Sequence, residues 1–265
     1  NNAFIHIEDR GFQFSDSIYE VVKVIKKKII DFDYHISRFK YSTSELNFNY
    51  KINNKDLLKI FTKLREKNNL INGIIYLQIT RGLQNREHSY KKNLIPNVII
   101  YTSKKSFNLP NKNFKAFKAI TYPDIRWGRP DIKTTSLLPN ILASTYASKK
   151  GAYEAILCKG KKITEASHSN VWIIKNKKII THPANKEILK GITRTILINL
   201  IKSSEQTLIE KEFTIKELYN SDEVFITSAG SLITPIIQVD RFMINGGKIG
   251  PITKFLALLY YKAII

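Results

Sequence analysis

The stretch "NVWIIKNKKIITHPANKEILKGITRTILINLIK" (Asn170–Lys202) decides what kind of chain this is. "NVWIIK" and "KIITHP" are short, rich in β-branched residues and of strand length, whereas "TRTILINLIKSSE" follows with helical periodicity. Strands therefore alternate with helices, and the pattern continues on both sides. "YEAILC", "EVFITSA" and "IIQVD" read as further strands, "LLPNILASTYASKK" and "GPITKFLALLYYKAII" as helices. Inside the stretch, Gly191 precedes Ile192 and Thr193 at a helix start, where backbone N–H groups without intrahelical partners and a hydroxyl can hold a phosphate. Every helix has such an end, so the signal is weak alone. "TSAGS" (Thr227 to Ser231) is a second small-residue turn with the same potential, which makes Ser228 and Ala229 candidates. "EASHSN" (Glu165 to Asn170) follows a strand and packs a carboxylate, two serines and a histidine into a turn; an ordinary polar turn reads the same way.

The earlier part of the chain carries "SIYEVVKVI", "GIIYLQITRG" and "NVIIYTS" as strands, with "YHISRFKYSTSELNF" and "NKDLLKIFTKLREKNN" as amphipathic helices. "SKKSFNLPNKNFK" has no periodicity and reads as a linker. The expectation is an α/β chain of α+β type in two domains: a small one over 1–107 and a larger one over 108–265. No internal repeat is visible.

The 265 residues hold 43 Lys and Arg against 22 Asp and Glu, a formal charge of +21. So large a surplus can mark nucleic-acid or anionic-membrane binding. Here the lysines are scattered among Asn and Ile, without a zinc-finger, RNP-like or helix-turn-helix signature, so a lysine-rich solvated surface is the reading, with no nucleic-acid and no membrane partner. The field attracts small anions. Cys158 is the only cysteine, which excludes an intrachain disulfide and a cysteine-rich zinc site, and no metal is expected. No apolar run reaches membrane-spanning length and no signal-peptide layout opens the chain, so a cytoplasmic location is expected. The chain begins without methionine, and a start upstream of Asn1 is expected.

"RWGRPDIKTTSLLPN" (Arg126 to Asn140) places Lys133 between Pro130 and a run of hydroxyls before a helix taken as buried. Desolvation there makes an amine nucleophilic. "RGLQNREHSY" ends a strand and spaces Arg86 and His88 two apart, which on extended backbone points both to one face. Such a pair suits a carboxylate, and a solvated loop is the other reading.

Together and in this order, "EDRGFQFSDSIYEVVKV", "YHISRF", "YLQITRG", "NREH", "DIRWGRPDIK", "GAYEAIL", "TEASHSNVW", "THPANKEILKGITR", "DEVFITSAGSLITP" and "GPITK" resemble the fold-type IV pyridoxal-phosphate aminotransferases, most closely their D-amino-acid branch. The resemblance covers nearly the whole chain, with the family's first strand region missing from the start. It implies two domains, each a mixed or barrel-like sheet with packed helices, and pyridoxal 5′-phosphate as cofactor. Lys133 matches the lysine that carries the cofactor, and Glu165 the carboxylate facing its pyridine nitrogen. Arg38 matches the phosphate-binding arginine, with Ile192 and Thr193 the helix-start phosphate cup. Leu189 matches the residue packed on the ring, and Arg126 one near cofactor and lysine. Tyr19, Arg86 and His88 match the trap for the substrate α-carboxylate, the last two supplied by the neighbouring subunit of a homodimer.

The implied reaction is a ping-pong exchange of an amino group between a D-amino acid (D-alanine, D-glutamate) and a 2-oxo acid (2-oxoglutarate, pyruvate). A branched-chain L-amino-acid transaminase or a 4-amino-4-deoxychorismate lyase on the same scaffold is the alternative, and a non-catalytic basic nucleic-acid-binding protein the remote one. Three residues depart from the family. Ala229 stands in place of a threonine hydroxyl on the phosphate, and Ser17 where glycine is usual. His168 is read either as a cation near the phosphate or as space filling.

Overall fold

The computed structural model describes residues 3–51 and 53–265. The chain divides into two compact units, one running to Ser106 with Ile132–Ser136 added, the other comprising Phe107–Asp131 and Leu137–Ile265. The segment around Lys133 thus belongs with the first unit, although the sequence reading placed it in the second. Its neighbours explain this: Thr134 bridges Ile18, and Ile132 is buried in the first unit's core.

In the first unit α1 (Arg10–Phe14) leads into β1 (Ser17–Ile25), β2 (Lys28–Ile29), α2 (Phe32–Glu45), α3 (Asn54–Lys67), β3 (Gly73–Thr80) and β4 (Asn97–Lys104). The sheet order is β2-β1-β3-β4, antiparallel throughout rather than mixed. Period-two alternation gives it two faces. Ile18, Val22, Val24, Ile75, Leu77 and Ile79 go to the core with Ile36, Phe39 and Phe61 of the helices. On the other face Tyr19 lies opposite Gln78, and Tyr76 opposite Tyr101. α3 starts on Asn53, whose side chain accepts from the N–H groups of Lys55 and Asp56.

The second unit contains β5 (Phe117–Pro123), α4 (Leu138–Lys149), β6 (Glu154–Lys159), β7 (Lys162–Ala166), β8 (Asn170–Lys175), β9 (Lys178–Thr181), α5 (Ile192–Lys202), β10 (Leu208–Glu210), β11 (Phe213–Thr214), α6 (Ile215–Tyr219), β12 (Glu223–Ser228), β13 (Leu232–Val239), β14 (Phe242–Met243) and α7 (Pro251–Ile264). Its sheet runs β10-β9-β8-β12-β13-β5-β6-β7-β11, with β14 on β13. Parallel pairs at β10/β9, β13/β5 and β5/β6 make it mixed. β6 and β8 are buried along nearly their whole length, as continuous apolar runs demand.

Two sequence expectations change here. Glu165 does not lie in a turn but inside β7, a strand too short and polar to stand out in "KITEA", and only the residues after it turn. α4 is not a buried helix: Ala143 and Ala147 face the core while Leu138, Ile141 and Leu142 are exposed. Among the described residues no helix is long and apolar enough to cross a membrane.

Candidate active site

Lys133 lies in irregular backbone, half-buried. Its N–H donates to the Ser42 hydroxyl at 3.2 Å, and its carbonyl accepts from Tyr19 N at 3.0 Å. The amine Nζ stands 4.2 Å from the centre of the Tyr19 ring. Tyr19 stacks on Tyr76, which stacks on Tyr101. Unlike most lysines beside acidic groups, Lys133 has no hydrogen-bond or ion-pair partner for its amine among the described residues, so the nitrogen is available for chemistry.

In the same unit Arg38 is held on Glu20, with Nε and Nη2 donating to the two carboxylate oxygens at 2.8 Å each. His35 Nδ1 is 2.7 Å from Glu20 Oε2. Burial alone raises the Glu20 pKa, but the Arg38 guanidinium and His35 outweigh it and hold it at about 2. Burial lowers His35 to about 4, so the neutral ring donates from Nδ1, and its buried Nε2 has no hydrogen-bond partner among the described residues. The fork Arg38 is expected to offer a phosphate is therefore partly committed; Glu20 sets its orientation.

Arg86 and His88 are exposed and sit in bends, not on extended backbone. Gly82, at φ +103, allows the chain to turn where an added Cβ would strike the Ile95 carbonyl. The two side chains still converge, since the Arg86 guanidinium lies 5.1 Å from the Phe14 ring centre and the His88 ring 5.6 Å from it. Arg10 builds the loop by donating to the Glu87 and His88 carbonyls at 2.6 and 3.0 Å. Gln84 closes it through Ser89 O and Lys91 N. Neither Arg86 nor His88 makes a hydrogen bond, ion pair or ring contact with Lys133 or Tyr19. The sequence reading missed Arg10 and Gln84: Gln84 has only its polarity beside "NREH" as a signal, and Arg10 lies far from that motif in the chain.

In the second unit the Glu165 carboxylate is buried and accepts from Arg126 Nη1, Asn170 Nδ2 at 3.0 Å and Leu189 N at 3.2 Å. Burial is the largest influence on its pKa and raises it to about 7 against the pull of Arg126 and the Leu189 N–H. Arg126 is shared: Nε and Nη2 donate to Asp124 at 2.9 and 2.7 Å. Its own pKa, lowered by burial, is raised overall by Asp124 and Glu165. Arg126, expected beside a cofactor, is thus the counter-ion that organises Glu165, and Leu189 reaches Glu165 through its backbone. Asn170, inside "EASHSN", and Asp124, two residues before Arg126, lay within quoted motifs without being singled out; Asn170 bonds Glu165 directly, and Asp124 reaches it through Arg126.

α5 begins at Ile192 on Gly191, with no side-chain cap, so the first N–H groups keep their donor capacity. A Cβ at Gly191 would collide with Asn170 Oδ1. Thr193 Oγ1 accepts from the Tyr260 hydroxyl at 3.4 Å. In the second turn the Ser228 and Ser231 hydroxyls bond each other at 2.6 Å, and Ala229 adds none. His168 is half-exposed, with Nε2 3.2 Å from Glu154. That buried carboxylate also accepts from His168 N and the Ser169 hydroxyl at 2.7 and 2.9 Å, so His168 closes a turn built on Glu154. Each unit by itself offers groups of the kind pyridoxal 5′-phosphate requires: the first an amine with no hydrogen-bond or ion-pair partner among the described residues, the second an uncapped helix start and a buried carboxylate.

Comparison with known proteins shows the family. The family described as "Amino-transferase class IV" matches residues 17–239. A D-alanine aminotransferase of Staphylococcus aureus is 38% identical over 256 residues, 96% of this chain and 90% of that protein. One from Listeria innocua is 38% identical over 267 residues, covering 100% and 92%. The crystal structure of the Escherichia coli branched-chain amino acid aminotransferase superposes with a TM-score of 0.90 at 22% identity, over 99% of this chain and 90% of that one. At that identity the likeness concerns the fold.

Proposed function

This chain belongs to the class IV aminotransferases, and from that premise we propose that it transfers an amino group between a D-amino acid, D-alanine foremost, and a 2-oxo acid. The relatives at 38% identity carry the reading, together with the partnerless amine of Lys133 over Tyr19. Pyridoxal 5′-phosphate, when bound, supplies an aldehyde for an amine and a ring that accepts the electron pair left at the substrate Cα. Lys133 is the residue that would hold the cofactor, and its amine would move the proton at the substrate Cα. Glu165, kept in place by Arg126 and Asn170, would keep the ring nitrogen protonated. Ile192 N, Thr193 and Arg38, with Ser228 and Ala229, would hold the phosphate, and Leu189 would pack on the ring.

Tyr19, Arg86 and His88 bind the substrate carboxylate. Arg86 and His88, without contact to their own Lys133, are read as serving the neighbouring subunit of a homodimer. The paired Arg and His favour the D-amino-acid reading over a branched-chain L-amino-acid transaminase or a 4-amino-4-deoxychorismate lyase. A cytoplasmic location accords with the single buried thiol of Cys158.

The deciding experiment is an absorbance spectrum of the loaded protein. Conversion of the bound cofactor to its amine form by D-alanine but not by L-alanine is expected. Conversion by L-alanine alone overturns the handedness, and turnover surviving in Lys133→Ala overturns the role of the lysine.

A further inference from the structure

Beside Lys133 lies a chain of side-chain hydrogen bonds whose direction is determined at every link. The Tyr76 hydroxyl donates to Gln78 Oε1 at 2.8 Å. Gln78 Nε2 donates to the Ser17 oxygen at 3.3 Å. Ser17 and Thr135 bond each other through their hydroxyls, and Thr135 Oγ1 donates to the Ser15 carbonyl at 3.2 Å. The Thr135 proton is spent on a carbonyl, which can only accept, so the Ser17 proton must point at Thr135. Ser17 then has its oxygen open to the Gln78 amide, and Gln78 its carbonyl to Tyr76. No link can be reversed without leaving two protons or two lone pairs facing each other.

The two ends of this chain meet at Lys133. At one end Tyr76 stacks on Tyr19 with ring centres 5.7 Å apart, and Tyr19 lies under the amine. At the other, Thr135 is two residues along the backbone, its N–H donating to Ser17 O at 3.1 Å. The ring beneath the amine and the main chain that carries it are therefore tied to one relay. Ser17 is fully buried, so its hydroxyl is shielded from water and depends on the protein partners of this relay.

We propose that Ser17 and Thr135 are positioning residues for Lys133: their hydroxyl pair, anchored through Gln78 to Tyr76, holds the amine at a fixed place over Tyr19. Neither touches substrate or cofactor. The inference rests on the proposed function for its consequence, faster proton transfer by a preorganised amine, but the relay itself exists without it.

The variants Thr135→Val, Thr135→Ser, Ser17→Ala and Ser17→Ala/Thr135→Val test it with three measurements: kcat and KM for D-alanine, melting temperature, and amide hydrogen exchange of Tyr19 and Thr135 in the cofactor-free protein. Valine keeps the shape of threonine and removes the hydroxyl. A fall in kcat of about three- to tenfold, the equivalent of one neutral hydrogen bond, is expected in Thr135→Val with KM nearly unchanged. Thr135→Ser should restore kcat, and the double variant should be no worse than the worse single one, because one relay is broken either way. Exchange at both amides should quicken in the two single alanine and valine variants.

A purely structural role would lower the melting temperature without separating kcat from KM, and that result overturns the proposal. So do unchanged kcat and exchange in Thr135→Val, failure of serine to rescue, or fully additive losses. Should the valine variant not fold, Ser17→Ala breaks the same relay from the other side. If the wild-type protein does not respond to D-alanine, the functional reading fails, while the exchange measurement still decides whether the relay holds the segment.

Discussion

Glu20 and Glu165 are the same residue type, both buried, one in each compact unit, and their acidities are driven apart. Glu20 meets two nitrogens of one guanidinium: Arg38 reaches both oxygens, and His35 adds a third donor. Glu165 receives one nitrogen of an arginine that also donates to Asp124 and to the Glu187 carbonyl. Burial opposes the charge in both cases. A cation that offers two nitrogens, with His35 beside it, overcomes burial and brings Glu20 to about 2, whereas one nitrogen of Arg126 does not, leaving Glu165 at about 7. The first arrangement makes a permanent anion that orients an arginine. The second makes a carboxyl poised to respond to a cation placed near it, as a protonated ring nitrogen would be.

The largest expected effect comes from neutralising the poised carboxyl. Glu165→Gln should slow single-turnover conversion of the bound cofactor by D-alanine about 10²- to 10³-fold, the scale of losing one preorganised charged contact. A rate like that of the wild type means another group holds the ring proton. Glu20→Gln, in contrast, leaves Arg38 without its anion in a buried place, and a loss of about 3–5 kcal/mol in urea unfolding is expected. Similar stability losses in both variants would erase the distinction between an anchoring and a poised carboxylate.

A smaller effect sharpens the comparison through pH. Glu20 is depressed from 4.5 to about 2, so its stabilisation is present above pH 4.5 and is lost as pH falls toward 2, about 3 kcal/mol in all. Glu165 is raised from 4.5 to about 7, so the stability linked to its proton is present below pH 4.5 and lost as pH rises toward 7. Urea midpoints between pH 2 and 8 should show the first slope vanish in Glu20→Gln and the second in Glu165→Gln. The smallest effect is in Asp124→Asn, which frees Arg126 for Glu165. The Glu165 pKa should fall by about one unit, read from the carboxyl infrared band against pH; no movement would mean that sharing is not what keeps it high.

Much of this was written in local order. Hydrophobic periodicity gave β1, β3, β6, β8, α5 and α7 close to their observed ends, because each apolar pattern matches one face or one buried strand. β7 and β11 escaped notice, being short pieces whose pairing partners lie elsewhere in the chain. Lys133, Arg38 and Glu165 were singled out as candidates through family motifs. Arg10 and Gln84 were not, and Asp124 and Asn170 were passed over inside quoted motifs, since which atoms a polar side chain bonds is decided by packing.

The sequence by itself determined the types of the longer elements and the helix start behind Gly191, because these depend on composition and spacing within one or two turns of chain, and its family motifs marked the candidates for aminotransferase chemistry. Tertiary structure alone decided that Ile132–Ser136 joins the first unit, that Arg126 divides itself between two carboxylates, and that Ser17 meets Thr135 across 118 positions. Such contacts set the protonation and the aim of side chains through burial and donor sharing, which are properties of a place in the fold rather than of a residue.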